Sequence, residues 1–202
     1  MMVDAAVTDV VLATTCLGFG LRLLRAPPGA AIGGIGMLLV GIAAMFGSAR
    51  YGFAASLAPA HEGVGRLAGM VGIPLIGVGW GTQVFAPQWA NALRAPAFVI
   101  LLIAAVALIA VDPYQTLIAS VGITLVILAA LSAMRTAPRA AGLGLLGALG
   151  ALVAGLAVDG DSSVGPMRRI AWFHLLFAAS MALLAVGLVG VSEDQSGAES
   201  DP

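Results

Sequence analysis

The chain has 202 residues, of which 60% are hydrophobic and only 9% charged, with a formal net charge of −1. Soluble domains carry about 25% charged residues, so this composition leaves too little polar surface to coat a globule in water. The balanced charge, with no basic patch, argues against a nucleic-acid partner, and the single cysteine, Cys16, excludes an intramolecular disulfide or a cysteine-based metal cluster.

A membrane helix needs about 20 mostly apolar residues. Runs of that kind lie near 8–24, 30–50, 65–86, 93–111, 114–134, 138–158 and 169–191. The reading is therefore an all-α, polytopic transmembrane bundle of seven helices, one domain over residues 1–191. Residues 192–202, "SEDQSGAESDP" with the preceding valine excluded, are expected to form a disordered acidic tail. The segment "MMVDAAVTDV" carries Asp4 and Asp9 and no basic residue, so the first run reads as a retained span rather than a cleaved signal. Proline sits near the span boundaries except for Pro74, which falls inside the third. Small residues at i, i+4 spacing let membrane helices approach closely. Gly65, Gly69, Gly77 and Gly81 in the third span, Gly147, Ala151 and Gly155 with Ala140, Gly144 and Ala148 in the sixth, and Gly29 with Gly33 in the second are expected to do so.

All the basic residues are arginine, which with the alanine and glycine content suggests a bacterial inner-membrane protein. Arg22, Arg25, Arg94, Arg135 and Arg139 lie in odd-numbered loops, and Arg50, Arg66, Arg168 and Arg169 in or beside even-numbered ones. This bias places the N-terminus outside and the C-terminus in the cytoplasm.

Parity of crossings collects Asp9, Ser48, Arg50, Tyr51, His61, Glu62, Asp112 and His174 on one side of the membrane. These eight are the candidate lining of a one-sided polar pocket. His174 stands about one turn into the last span, where an ionisable group is a functional candidate. It could face inward and bond Ser48 or Tyr51, or sit at the interface like Trp172. Arg50 could snorkel to the interface or pair with Asp9, Glu62 or Asp112. His61 and Glu62, after Pro59, read as a loop entering the third helix.

A Ser/Tyr-bearing end of span two and a His-bearing start of span seven resemble the CREST superfamily of seven-span membrane proteins, which includes alkaline ceramidases and progestin/adipoQ receptors, and allied bacterial families. The resemblance implies a zinc-dependent lipid hydrolase with a Ser and a His four apart in span two, an Asp in span three and two His four apart in span seven. Ser48 matches the serine and His174 one histidine, making these two the candidate catalytic residues. Gly52 and Ala178 stand where the partner histidines would be, and the third span lacks an aspartate. Catalytic zinc takes about three protein ligands; here only His174 and His61 could contribute imidazoles, so no metal is expected.

The expectation is accordingly a non-catalytic integral membrane protein whose polar pocket binds a lipid headgroup, a small ligand or a partner protein. The alternatives are a CREST-like hydrolase acting on a lipid amide or ester, or a small-solute transporter. A retinal Schiff base is excluded by the absence of lysine.

Overall fold

The computed structural model describes the backbone of residues 2–108, 112–157, 163–165 and 167–198, and all of their side chains except those of 94, 98, 104–108, 112–115, 157 and 195–198. The described chain is almost wholly helical. In order it forms α1 (Val3–Leu23), α2 (Pro28–Gly52), a single tight turn (Ala55–Leu57), α3 (Ala58–Leu67), a π-helical turn (Ala68–Gly72), α4 (Ile73–Phe85), α5 (Ala90–Leu108), α6 (Asp112–Ala133), α7 (Pro138–Ala157), a two-residue hairpin of β1 (Ser163–Val164) and β2 (Met167–Arg168), and α8 (Arg169–Ala198). Among the described residues, six stretches are long and apolar enough to cross a membrane: Val3–Leu23, Pro28–Gly52, Ala55–Phe85, Thr116–Ala133, Pro138–Leu156 and Arg169–Asp194.

Six helices close a ring in which α1 packs on α2, α2 on α4, α4 on α6, α6 on α7, α7 on α8, and α8 back on α1. The middle is filled by fully buried Met37, Ile76, Trp80, Met181, Leu184 and Leu188. α5 lies outside this ring against α2 and α4 and turns Val99, Ile100 and Ile103 outward. Apolar side chains also cover the outer face elsewhere, as at Val10, Met45, Leu149 and Leu156. A protein surrounded by hydrocarbon has no need to hide such groups.

Close approach between helices rests on glycine. A Cβ at Gly36 would run into the Gly72 carbonyl oxygen, and one at Gly79 would lie 2.6 Å from the Gly33 amide nitrogen. α2 therefore touches the π turn and α4 backbone to backbone at these points. Gly144 and Gly187 form the notch that receives the Trp80 indole, joining α4 to α7 and α8. In the sixth span Gly147 abuts Ser180 and Leu184 as expected, but Gly155 faces open space.

The third span differs most from the expectation. It begins at Ala55 rather than 65, because Ala58–Leu67 is helical through His61 and Glu62, which are not in a loop. Its expected glycine stripe does not form: Gly65 and Gly81 meet nothing, whereas Gly72 and Gly79 pack on α2 and Gly77 on Gly122. The reason is the π turn just before Pro74. Proline has no N–H for the carbonyl four residues earlier, and a π turn takes up the extra residue. The residue added there breaks the i+4 track, so positions in α3 and α4 fall on different faces.

The other ends shift by smaller amounts. α1 starts at Val3, before the expected residue 8, with Asp4 in its first turn, where a carboxylate suits the helix N-terminus. Asp4 Oδ2 also accepts the Arg168 backbone N–H at 2.9 Å. α5 spans Ala90–Leu108 where 93–111 was expected. α8 runs on to Ala198, so 192–198 are helical rather than a disordered tail; 199–202 lie outside the described residues.

Candidate functional site

The start of α1, the end of α2 and the start of α8 meet at one face of the ring. The Met2 N–H donates to the Tyr51 carbonyl at 3.0 Å, and Asp4 ties the same end of α1 to β2. The hairpin turns at Gly165, whose φ of +62° is a left-handed conformation that glycine adopts without strain. Its Val164 carbonyl accepts the Trp172 indole N–H at 3.1 Å, fixing the entry of α8.

Helical periodicity turns two ionisable residues inward from this face. In α1, Ala5, Asp9, Leu12 and Cys16 form a buried stripe; in α8, Ala171, His174, Ala178, Met181 and Ala185 form another. The stripes face each other where α1 packs on α8. His174 Nδ1 lies 3.3 Å from Asp9 Oδ1, with the two side chains 7% and 2% exposed. It also lies 3.4 Å from Thr8 Oγ1. The Thr8 hydroxyl donates to the Asp4 and Ala5 carbonyls at 3.0 and 3.1 Å, so towards the imidazole it can only accept. His174 Nδ1 is therefore within reach of one carboxyl oxygen and one hydroxyl oxygen.

The second Asp9 oxygen points at α2. Oδ2 crowds the position a Gly47 Cβ would occupy, and His61 Cε1 lies 2.9 Å from that same point. Gly47 is thus the gap through which Asp9 of α1 and His61 of α3 approach one another. Asp9 Oδ2 and His61 Nδ1 are both buried, and neither has a hydrogen-bond partner among the described residues. Buried polar atoms are rarely left so. The Tyr51 ring meets the His61 ring edge to face at a centroid separation of 5.7 Å. Phe173 does the same for His174 at 5.3 Å.

Towards the surface the site becomes polar and open. The Arg50 guanidinium lies 5.1 Å from the Tyr51 ring centroid and 3.9 Å from Glu62 Oε1, in a pair with side-chain exposures of 27% and 61%. An exposed pair of this length contributes little stability. Arg50, Tyr51 and Met2 also line an open groove of about 480 Å³ beside the site.

Of the expected pocket residues, the structure joins Asp9, His61 and His174 in one cluster and sets Arg50, Tyr51 and Glu62 at its mouth. Ser48 is half-buried and takes part in none of the described hydrogen bonds, and His174 Nδ1 meets Asp9 and Thr8. The side chain of Asp112 lies outside the described residues. Thr8 and Gly47 escaped the sequence reading. Thr8 adjoins Asp9 in the chain, but nothing local marks Gly47 among so many glycines. Among the described residues no three His, Cys, Asp or Glu side chains are arranged to hold a metal ion.

With this geometry in hand, the chain belongs to the DUF6962 family, a family of unknown function, whose model matches residues 5–193. No curated protein and no solved structure matches it.

Proposed function

We propose that this is a seven-span integral membrane protein, non-catalytic, whose one-sided polar site binds a small hydrogen-bonding ligand, the simplest being an exchangeable proton. The observation that carries the reading is that Asp9 Oδ2 and His61 Nδ1 are both buried and unpartnered, on side chains that approach one point beside Gly47. As unprotonated atoms both are acceptors. A proton on either atom makes that atom a donor. An ionisable group inside a membrane bundle is expensive and marks a proton or ion site by default.

The charged and titratable groups around the site are Asp4 and Asp9 on α1, Arg50 and Tyr51 on α2, His61 and Glu62 on α3, Arg168 on β2, and His174 on α8. Only Asp9, His61 and His174 lie at its centre. The seventh crossing is α5, whose 19 residues span about 28 Å at 1.5 Å per residue. The arginine bias of the loops orients the N-terminus outward and the C-terminus inward. On that reading the polar site opens to the outer side. Hydrolysis has less support, since a serine nucleophile needs a base within hydrogen-bonding reach and Ser48 makes none of the described hydrogen bonds with His174.

Infrared difference spectra of the purified protein, taken between about pH 5 and pH 8, test the proposal. The expected result is a carboxyl protonation band in the wild type that is missing in Asp9→Asn. A spectrum unchanged by that substitution would overturn it.

A further inference from the structure

The core of the ring separates the Asp9 site from the far ends of the helices. On α8, fully buried Met181, Leu184 and Leu188 follow His174; at 1.5 Å per residue they stand from about 10 to about 21 Å beyond it. They belong to one apolar cluster with Met37 of α2 and with Ile76 and Trp80 of α4. Leu188 packs at Gly33 of α2, and Trp80 at Gly144 of α7 and Gly187 of α8, where an added Cβ would collide with them. The core is thus closed from α2 across to α7 and α8. Among the described residues, the buried polar side chains beyond it are Thr82 and Gln83 on α4 and Ser192 on α8.

Proton relays through membrane proteins are chains of groups that can each accept and donate. Within the core the buried polar groups among the described residues are Cys16, Trp80 and Ser180. The Trp80 indole nitrogen is a donor only and has no partner among the described residues. The Ser180 hydroxyl donates to the Leu176 carbonyl at 2.8 Å. The buried Cys16 thiol donates and accepts only weakly. On the site's own side the surroundings are open. No residue of α3, which carries His61, is buried, and the Tyr51 ring that meets His61 also lines the open groove of about 480 Å³.

We infer that the protein is a one-sided acid sensor: the proton of the Asp9, His61 and His174 cluster exchanges with the aqueous phase on the site's own side and does not cross the membrane. This deepens the proton-binding reading above and rests on it. Each event is balanced by one hydronium that gives its proton to the cluster and leaves water; the proton returns to water when the acidity falls. The other charged or titratable side chains on the elements around the cluster are Asp4 on α1, Arg50 and Tyr51 on α2, Glu62 and Arg66 on α3, Arg168 on β2 and Arg169 on α8. A proton transporter needs a second opening, which the filled core does not offer.

The test places the full chain in liposomes in mixed orientation and follows the Asp9 carboxyl band by infrared spectroscopy. The share of protein whose site faces outward is measured by labelling Ala55→Cys from outside, in a Cys16→Ala background; Ala55 lines the same groove as Tyr51. On a drop in external pH, that share of the band is expected at once, and the rest only after a protonophore equilibrates the interior. Vesicles carrying a pH gradient should lose it no faster than protein-free vesicles, and Asp9→Asn should leave that rate unchanged. A prompt share larger than the labelled one, or a proton flux above that of protein-free vesicles that Asp9→Asn abolishes, would overturn the inference and leave the proton site standing. A wild type with no Asp9 band would overturn the reading beneath it, and this inference with it.

Discussion

At the scale of single residues, the site depends on what is missing at position 47 as much as on what is present at 9, 61 and 174. Any side chain at Gly47 would occupy the space that Asp9 Oδ2 now takes. Gly47→Ala is expected to push Asp9 off His174 and to destabilise the protein by about 1–3 kcal/mol, the usual cost of overpacking. Thermal unfolding in detergent measures this, and Gly63→Ala, at a glycine that meets nothing within 4 Å, serves as the control expected to change little. The Asp9–His174 contact itself should appear as a coupling of roughly 0.6–2 kcal/mol in a double-mutant cycle of Asp9→Asn and His174→Gln, the range found for polar contacts between membrane helices. A coupling near zero would mean that the two side chains are neighbours without being partners.

That Asp9 and His174 lie towards one side was legible from the sequence, while whether His174 faces inward or sits at the interface was left open. Their pairing was not legible. Choosing Asp9 over Ser48 or Tyr51 requires knowing that α1 lies against α8, and hydropathy carries no information on the lateral order of helices. The structure supplies that order by closing the ring.

Elements show the same division. Six apolar stretches followed from run length, and the packing of Gly147, Ala148 and Ala140 in α7 followed from small-residue spacing. The third span broke the rule because a local event, Pro74 after a π turn, rephases the helix. Its consequence is testable at the α2–α4 contact. Gly36→Leu sets a large side chain against the Gly72 carbonyl, on a backbone that cannot give way as a side chain would. It should destabilise the fold by more than the same change at Gly81, which faces open space. Comparable melting temperatures for the two variants would place the helix contact elsewhere. The entry to α8 depends on the hairpin in a similar way: Gly165→Val forces a β-branched residue into φ +62°, with a cost of about 1–3 kcal/mol, and should loosen Trp172 enough to change its fluorescence.

For the whole molecule, the ring of six helices with α5 outside gives a bundle whose two faces differ in chemistry. One gathers the buried Asp9 cluster under the Arg50–Tyr51 mouth. The other carries Arg22, Arg25, Arg135 and Arg139 with the two acids of α8. Loop composition pointed to this asymmetry, since both histidines and the acids before α8's end were expected on one side. The continuation of α8 to Ala198 was hidden, because polar and acidic composition alone cannot tell a solvated helix end from an irregular tail. Single-cysteine labelling in a Cys16→Ala background tests the arrangement. Residues 55 and 165 should label from one side of intact membranes and residues 26 and 136 from the other; all four labelling from one side would contradict it.

The most direct test of the account is a nitrogen-15 imidazole titration of His61 and His174 in the wild type and in Asp9→Asn. If Asp9, His61 and His174 form one protonation site, the titrations of both histidines should change together when the carboxylate is removed. If His61 titrates identically with and without the Asp9 carboxylate, the two unpartnered atoms beside Gly47 do not share a proton, and the site proposed here does not exist.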